Sequence, residues 1–438
     1  MTTAAISDVS VAWEGSFGNL AAASKLPTVA GITWYPLPVV RSNWVNAARQ
    51  PEYALNLTRT SSHEFPGVPA TTYNRTAGAL WGASPGAPVQ RWLGDITVEG
   101  PLWTIGDGTT ISSYNLHPVV MTWLSSLEVD APGGGLSDTV AVVGTANSHT
   151  ATVAADYAIG RGIAAVINNA LEFSLVSDIA GAVVTYSPAF SQALPNTADM
   201  VRHCYTLFPR LGTPTLSAMM RFNMNGRCYY AFGCRVKEVA LQFDGETLTH
   251  RTTVEPTVIL RDDTGAAPSA WTKPDGTPCQ FKQSYHVMSA ATSSGTVPAS
   301  LARTPLSLHS WSATLRFGLS PVGGGHDSIL GRSGTEVTSY SAEASVVSEP
   351  SSTLDNMKVS REERTLLLGC GPAGGRGVLE GWGCGLAIMA AHLAESPALD
   401  EGPEQRHVLN ATFRAGRYAL EDASADAANT EFRFLLPM

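Results

Sequence analysis

Three kinds of residue pattern in this chain have types and spacings that chemistry could use. Thr365-Leu366-Leu367-Leu368-Gly369-Cys370-Gly371-Pro372-Ala373-Gly374 is a short apolar run followed by G-x-G-x-x-G. In a dinucleotide-binding enzyme those glycines let the backbone approach a pyrophosphate that then faces a helix N-terminus. Here the next residues are Gly375-Arg376-Gly377, poor helix sequence, so the segment reads as a glycine-rich loop between strands that binds no nucleotide. Gly82-Ala83-Ser84-Pro85-Gly86 matches the G-x-S-x-G elbow of a serine hydrolase. That elbow needs a strand before it and a helix after it, whereas Ala-Pro-Val follows Gly86. The third kind comprises scattered titratable groups. Ten histidines stand singly, none in the H-x-x-x-H or H-E-x-x-H spacing of a metal site. Glu362 and Glu363, and Glu401 and Glu404, lie in polar loop composition rather than as a buried acid pair. With no catalytic, cofactor or metal constellation, the chain is expected not to be an enzyme.

The elements that would position such residues are mostly strands. The chain has 438 residues, 44% hydrophobic and 15% charged, with 41 glycines and 27 prolines. That is too apolar for disorder and too often interrupted for long helices. No apolar run reaches the ~18 residues of a membrane-spanning helix, and residues 1–24 hold no Lys or Arg to open a secretory signal. The six cysteines show no C-x-x-C pair and read as reduced thiols of a protein made in the cytosol. By the same reading the N-x-S/T matches at Asn56, Asn74 and Asn410 are chance. A net charge of −9 with five lysines argues against gripping a phosphate backbone, which takes several clustered cations.

Period-2 alternation is strongest where Val239, Leu241 and Phe243 run into Asp244-Gly245 and out through Glu246 to Glu255, a hairpin with a turn that tolerates positive φ. It recurs at Trp311 to Leu319, Tyr340 to Val346, Leu409 to Phe413 and Phe432 to Leu436. Helical spacing is expected at about 152–171, on a stripe through Ala155, Ile159, Ile163 and Val166, with shorter helices at 197–208 and from Pro118 to Leu127. Pro, Gly and Asp cluster at 262–280, which divides the chain into a first β domain, 1–261, a linker, 262–280, and a second β domain, 281–438. Strands of this kind carry edges that another copy can extend, so self-assembly is the expected function.

Phe232-Gly233-Cys234-Arg235-Val236-Lys237-Glu238-Val239-Ala240-Leu241-Gln242-Phe243, with its Asp-Gly turn and return strand, resembles the hairpin of tail tube (major tail) proteins of long-tailed bacteriophages. Gly94 to Leu102, leading to Val119 through Leu127, is similar to the strand and short helix that precede it there, and Trp311 to Phe413 resembles their C-terminal strands. The resemblance implies a β-sandwich tail-tube fold with a flanking α-helix, its second domain completing or duplicating the first. It implies a virion protein, assembled in the host cytoplasm into homo-oligomeric rings, trimeric with pseudo-six-fold symmetry or hexameric. The rings would stack into a tube, bind other tail proteins and pass DNA through an acidic, arginine-poor lumen without specific binding or membrane contact. Val239, Leu241, Phe243, Asp244 and Gly245 are then the assembly hairpin. A capsid or decoration protein and a flavin or dinucleotide-binding enzyme are the alternative readings.

Overall fold

The computed structural model describes residues 3–14, 32–45, 52–53, 90–91, 94–102, 118–130, 137–167, 170–194, 200–212, 217–262, 283–289, 303–323, 332–371, 383–395, 397–401, 407–416 and 430–437. In chain order the first strands are β1 (Thr3–Ala5), β2 (Ser7–Glu14), β3 (Tyr35–Pro36), β4 (Arg41–Val45), β5 (Glu52–Tyr53), β6 (Gln90–Arg91), β7 (Ile96–Pro101) and β8 (Leu127–Asp130). Next come β9 (Ser137–Thr145), β10 (Ser148–Ala151), β11 (Gly162–Ile167), β12 (Ala170–Ala180), β13 (Val183–Ser187), β14 (Met200–Pro209), β15 (Ser217–Met224), β16 (Arg227–Phe243), β17 (Leu248–Glu255) and β18 (Val258–Asp262). The last are β19 (Gln283–Ser289), β20 (Arg303–Pro305), β21 (Leu308–Gly323), β22 (Arg332–Ser348), β23 (Arg364–Gly371), β24 (Cys384–Leu393), β25 (Ala398–Glu401), β26 (His407–Arg414) and β27 (Phe432–Pro437). The α-helices among the described residues are α1 (Pro118–Trp123) and α2 (Ser352–Ser360), neither long enough to cross a membrane.

The chain is mainly β, a closed barrel with additional strands. Strands β9, β10, β13, β12, β11 and β14 pair in that order, and β14 returns to β9, closing a six-stranded antiparallel ring. A first sheet runs β1-β4-β7-β17-β16-β21-β22-β26-β25. A second runs β20-β19-β23-β24-β27-β14-β8. Two strands serve two sheets each. The N-terminal half of β14 belongs to the barrel and its C-terminal half to the second sheet. Strand β16 begins beside β15 and β18 and ends beside β17 and β21. The change of partners along β16 falls at Gly233, whose φ of 60° suits glycine, and whose N–H donates to the buried Glu14 carboxylate at 2.7 Å.

Alternation explains the layering. One face of the first sheet sends Val239, Leu241, Phe243, Trp311 and Leu315 into a core shared with Leu207, Leu366, Leu386, Phe432 and Phe434 of the second sheet, and with Trp123 of α1 and Met357 of α2. The other face of the second sheet, with Leu367, Ala387 and Leu435, packs on Leu171, Phe173 and Leu175 of the barrel wall. Strands on either side of 262–280 pair directly, β14 with β27 and β16 with β21; residues 263–282 lie outside the described residues.

The expected helix at about 152–171 is not formed. Ala154–Asp156 is one short 3-10 turn, and β11 and β12 follow. Ile163, Ala165 and Ile167 line the barrel interior while Ala164 faces the second sheet. A strand buried on both faces reads as a continuous apolar run, which periodicity cannot tell from a buried helix. The β-branched residues and the helix-weakening Gly162 favour strand, and Gly162 lets β27 pack close, since a Cβ there would lie 2.4 Å from the Leu435 side chain. For the same reason 197–208 is largely β14, whose Val201 faces the barrel and Cys204 the second sheet. The helix expected from Pro118 ends at Trp123, and Leu127 opens β8.

Candidate assembly face and a polar barrel interior

The hairpin expected at 235–254 is formed, with Arg235 opposite Glu255 and Phe243 opposite Leu248. Its loop is four residues long, Asp244 to Thr247, rather than a two-residue Asp-Gly turn. Gly245 has φ 102°, and the Asp244 carboxylate accepts from the backbone N–H groups of Glu246 (3.0 Å) and Thr247 (2.7 Å) and from the Thr247 hydroxyl (2.8 Å). Those bonds hold the Asp244 carboxyl below the usual range. Val239, Leu241 and Phe243 point into the core, so what the hairpin presents outward is its other face.

Register turns that face into rows that no sequence spacing reveals. Arg41, Glu99, Arg251, Ala240, Thr314, Glu343 and Arg414 lie opposite one another across β4, β7, β17, β16, β21, β22 and β26. Beside it runs a hydroxyl-rich row, Thr249, Gln242, Ser312, Ser345 and Thr412. Seven strands at ~4.8 Å spacing make a surface roughly 29 Å wide. Arg251 pairs with Glu99 (3.4 Å), Arg316 with Glu238 (3.3 Å) and Arg414 with Glu343 (3.2 Å). Lys237 bridges Asp95 (3.1 Å) and Glu255 (3.8 Å). Burial lowers the Lys237 pKa, but those two carboxylates outweigh it and leave the ammonium above its ordinary value. These pairs are half exposed, so each adds about 0–1 kcal/mol to stability. Their larger effect is neutralisation: Arg41, Lys237, Arg251, Arg316 and Arg414 stand against Asp95, Glu99, Glu238, Glu255 and Glu343. The face is charge-balanced, not acidic, and its arginines are far apart in sequence.

The barrel interior is of another kind. Tyr157 donates to Asp138 Oδ2 at 3.3 Å, and His149 Nε2 lies 3.1 Å from the same hydroxyl. Since that hydroxyl's proton goes to Asp138, His149 is the donor to it. Asp138 Oδ2 also accepts from the N–H groups of Thr152 (3.0 Å) and Val153 (3.3 Å). His203 is fully buried, edge-on to Tyr157 with centroids 4.7 Å apart, and neither of its ring nitrogens has a hydrogen-bond partner. Burial pulls the His149 pKa down to about 4 against the opposing charge of Asp138, and lowers His203 against Asp156 and Asp138. Burial likewise pushes the Tyr157 and Tyr186 phenols up. At the barrel's end Arg161 is paired with Asp130 and bonded to the Asp156 carbonyl.

The chemistry-bearing motifs are dispersed. The strands flanking the glycine run, β23 and β24, are antiparallel neighbours with Cys370 opposite Cys384; a phosphate-binding turn needs a strand, a helix and a parallel strand. Residues 372–382, the G-x-S-x-G segment, Asn56, Asn74, Cys279 and Glu404 lie outside the described residues. Cys204, Cys228, Cys234, Cys370 and Cys384 are free and buried, and burial raises the Cys384 thiol to about 12, which makes it unreactive. Glu362 pairs with Arg364 at 2.7 Å, at the rim of a cavity of about 550 Å³ also lined by Lys358, Arg361, His392 and Glu395. Among the described residues no three His, Cys, Asp or Glu side chains are grouped to hold a metal. The chain matches no protein-family model and no curated protein.

Proposed function

We propose that this chain is a self-assembling structural protein, a tail tube subunit of a long-tailed bacteriophage, with the outward face of the β16–β17 hairpin sheet as part of the conduit wall. The observation that supports this reading is the seven-strand, hydroxyl-rich, charge-balanced face. DNA is captured non-specifically when protein cations replace its counterions. On this face the cations already stand beside carboxylates, so a duplex sliding over it finds no phosphate clamp. The resemblance of residues 232–243 to the tube hairpin supplies the rest, including rings of three or six copies and a β-sandwich subunit. The barrel, closed by the contiguous segment 137–203 on the outer side of the second sheet, favours a second reading as a capsid or decoration subunit, where such a lobe faces outward.

Negative-stain electron microscopy of the purified chain at high concentration tests both. Tubes with a central channel are expected. Closed shells would move the capsid reading to the front, and particles that stay monomeric at every concentration would refute self-assembly.

A further inference from the structure

The six-stranded barrel encloses buried titratable groups, His149 and His203 among them. Eight strands enclose an interior just wide enough to be filled by side chains, and six leave less. His203 on β14 is faced by His149 of β10, Asp138 of β9, and Tyr157, Asp156 and Arg161 of the segment before β11, while Tyr186 of β13 lies against His149. Glu172 of β12 is engaged by the Ser191 N–H at 2.7 Å. Asp138 is already committed to three donors, and Arg161 to Asp130. In the closed ring neither nitrogen of His203 has a hydrogen-bond acceptor in place for an added proton, whereas in an opened ring it meets water.

We propose that the barrel lobe is an acid-responsive module: lowering the pH from neutral opens the ring at 137–203 while the two-sheet body stays folded. Opening frees imidazoles that bind protons below about pH 6.5, so acid favours the open state by linkage. The body also buries histidines, His250 and His286, with lowered pKa values. Among the described residues, however, its apolar cluster holds 54, against 12 inside the barrel and 12 more between the barrel wall and the second sheet. A similar acid penalty is thus a larger share of what holds the lobe closed. Sub-global opening of the least stable contiguous unit precedes global unfolding.

Hydrogen–deuterium exchange of the full chain at pH 7.5 and 5.0, corrected for intrinsic rates, reads this directly. The His149 shift alone predicts a rise of about 25-fold in the opening equilibrium of 137–203, with protection retained in 308–348. Equal protection of 137–203 at both pH values, or simultaneous loss in both regions, overturns the proposal. His203→Phe keeps a ring in the dry site and should weaken the pH dependence of 137–203; an undiminished dependence excludes His203 as its source. Should that variant fail to fold, histidine ring NMR of the wild-type chain decides. His149 and His203 should stay neutral in the folded protein at pH 5, and titration of both near pH 6.5 refutes the proposal.

Discussion

The body and the barrel lobe solve the same problem, burying the inward face of antiparallel strands, with different proportions of apolar and polar side chains. Between its two sheets the body places mainly apolar side chains such as Phe243, Trp311 and Phe434, with buried polar groups among them such as His250, His286, Arg235 and Arg433; Trp123 Nε1 donates to Thr252 Oγ1 at 2.9 Å. The barrel closes on itself and fills part of its interior with His149, His203, Asp138 and Tyr157. Two broad sheets can add apolar area by adding strands, whereas a closed ring of fixed strand number cannot, so each polar residue inside it weighs more. Stability and a wide wet face come from the body; sensitivity comes from the lobe.

The largest expected effect breaks the body. Phe243→Ala removes a buried ring stacked near Trp311 (centroids 6.0 Å apart) and should cost about 3–5 kcal/mol, measured as a lower denaturant midpoint at unchanged slope. A loss under ~1 kcal/mol would mean that the hairpin does not anchor the shared core. Replacing Asp244-Gly245 with Val-Val is next. It deletes the carboxylate that accepts three bonds in the loop and puts a β-branched residue at φ 102°, a cost of about 2 kcal/mol. Subunits should stay soluble but assemble poorly, and an unchanged tube yield by microscopy counts against the hairpin's role.

The smallest change in stability carries the sharpest test of the wet face. Glu99→Gln, Glu238→Gln and Glu343→Gln together should alter stability by no more than about 1 kcal/mol per pair, yet leave Arg251, Arg316 and Arg414 unbalanced on one surface. The triple variant should shift DNA in a gel at low salt and release it steeply as salt rises, while the parent chain leaves DNA free. A parent chain that itself shifts DNA at low salt would remove the charge balance as an explanation.

The two regions were not equally legible. Strands of the body with one wet face, such as Trp311 to Phe317, alternate cleanly, and the hairpin is formed within one residue of where its pattern places it. The barrel strands β11 and β12 are buried partly on both faces and mimic a helix. α2 went unread because its amphipathic signal is confined to Leu354 and Met357, closed by Arg361 in the left-handed region.

By itself the sequence determined a mainly β chain, the place of its principal hairpin and the buried identity of Val239, Leu241 and Phe243, because alternation and turn chemistry are properties of neighbouring residues. Only the tertiary structure decided that β14 returns to close a ring on β9, that the two halves of the chain share one core, and that scattered arginines each come to rest beside a glutamate. Those outcomes depend on register between strands as distant as Glu99 and Arg251, or on burial of one residue by many others. A one-residue slip in pairing would turn each such side chain to the opposite face, and no local pattern records which register wins.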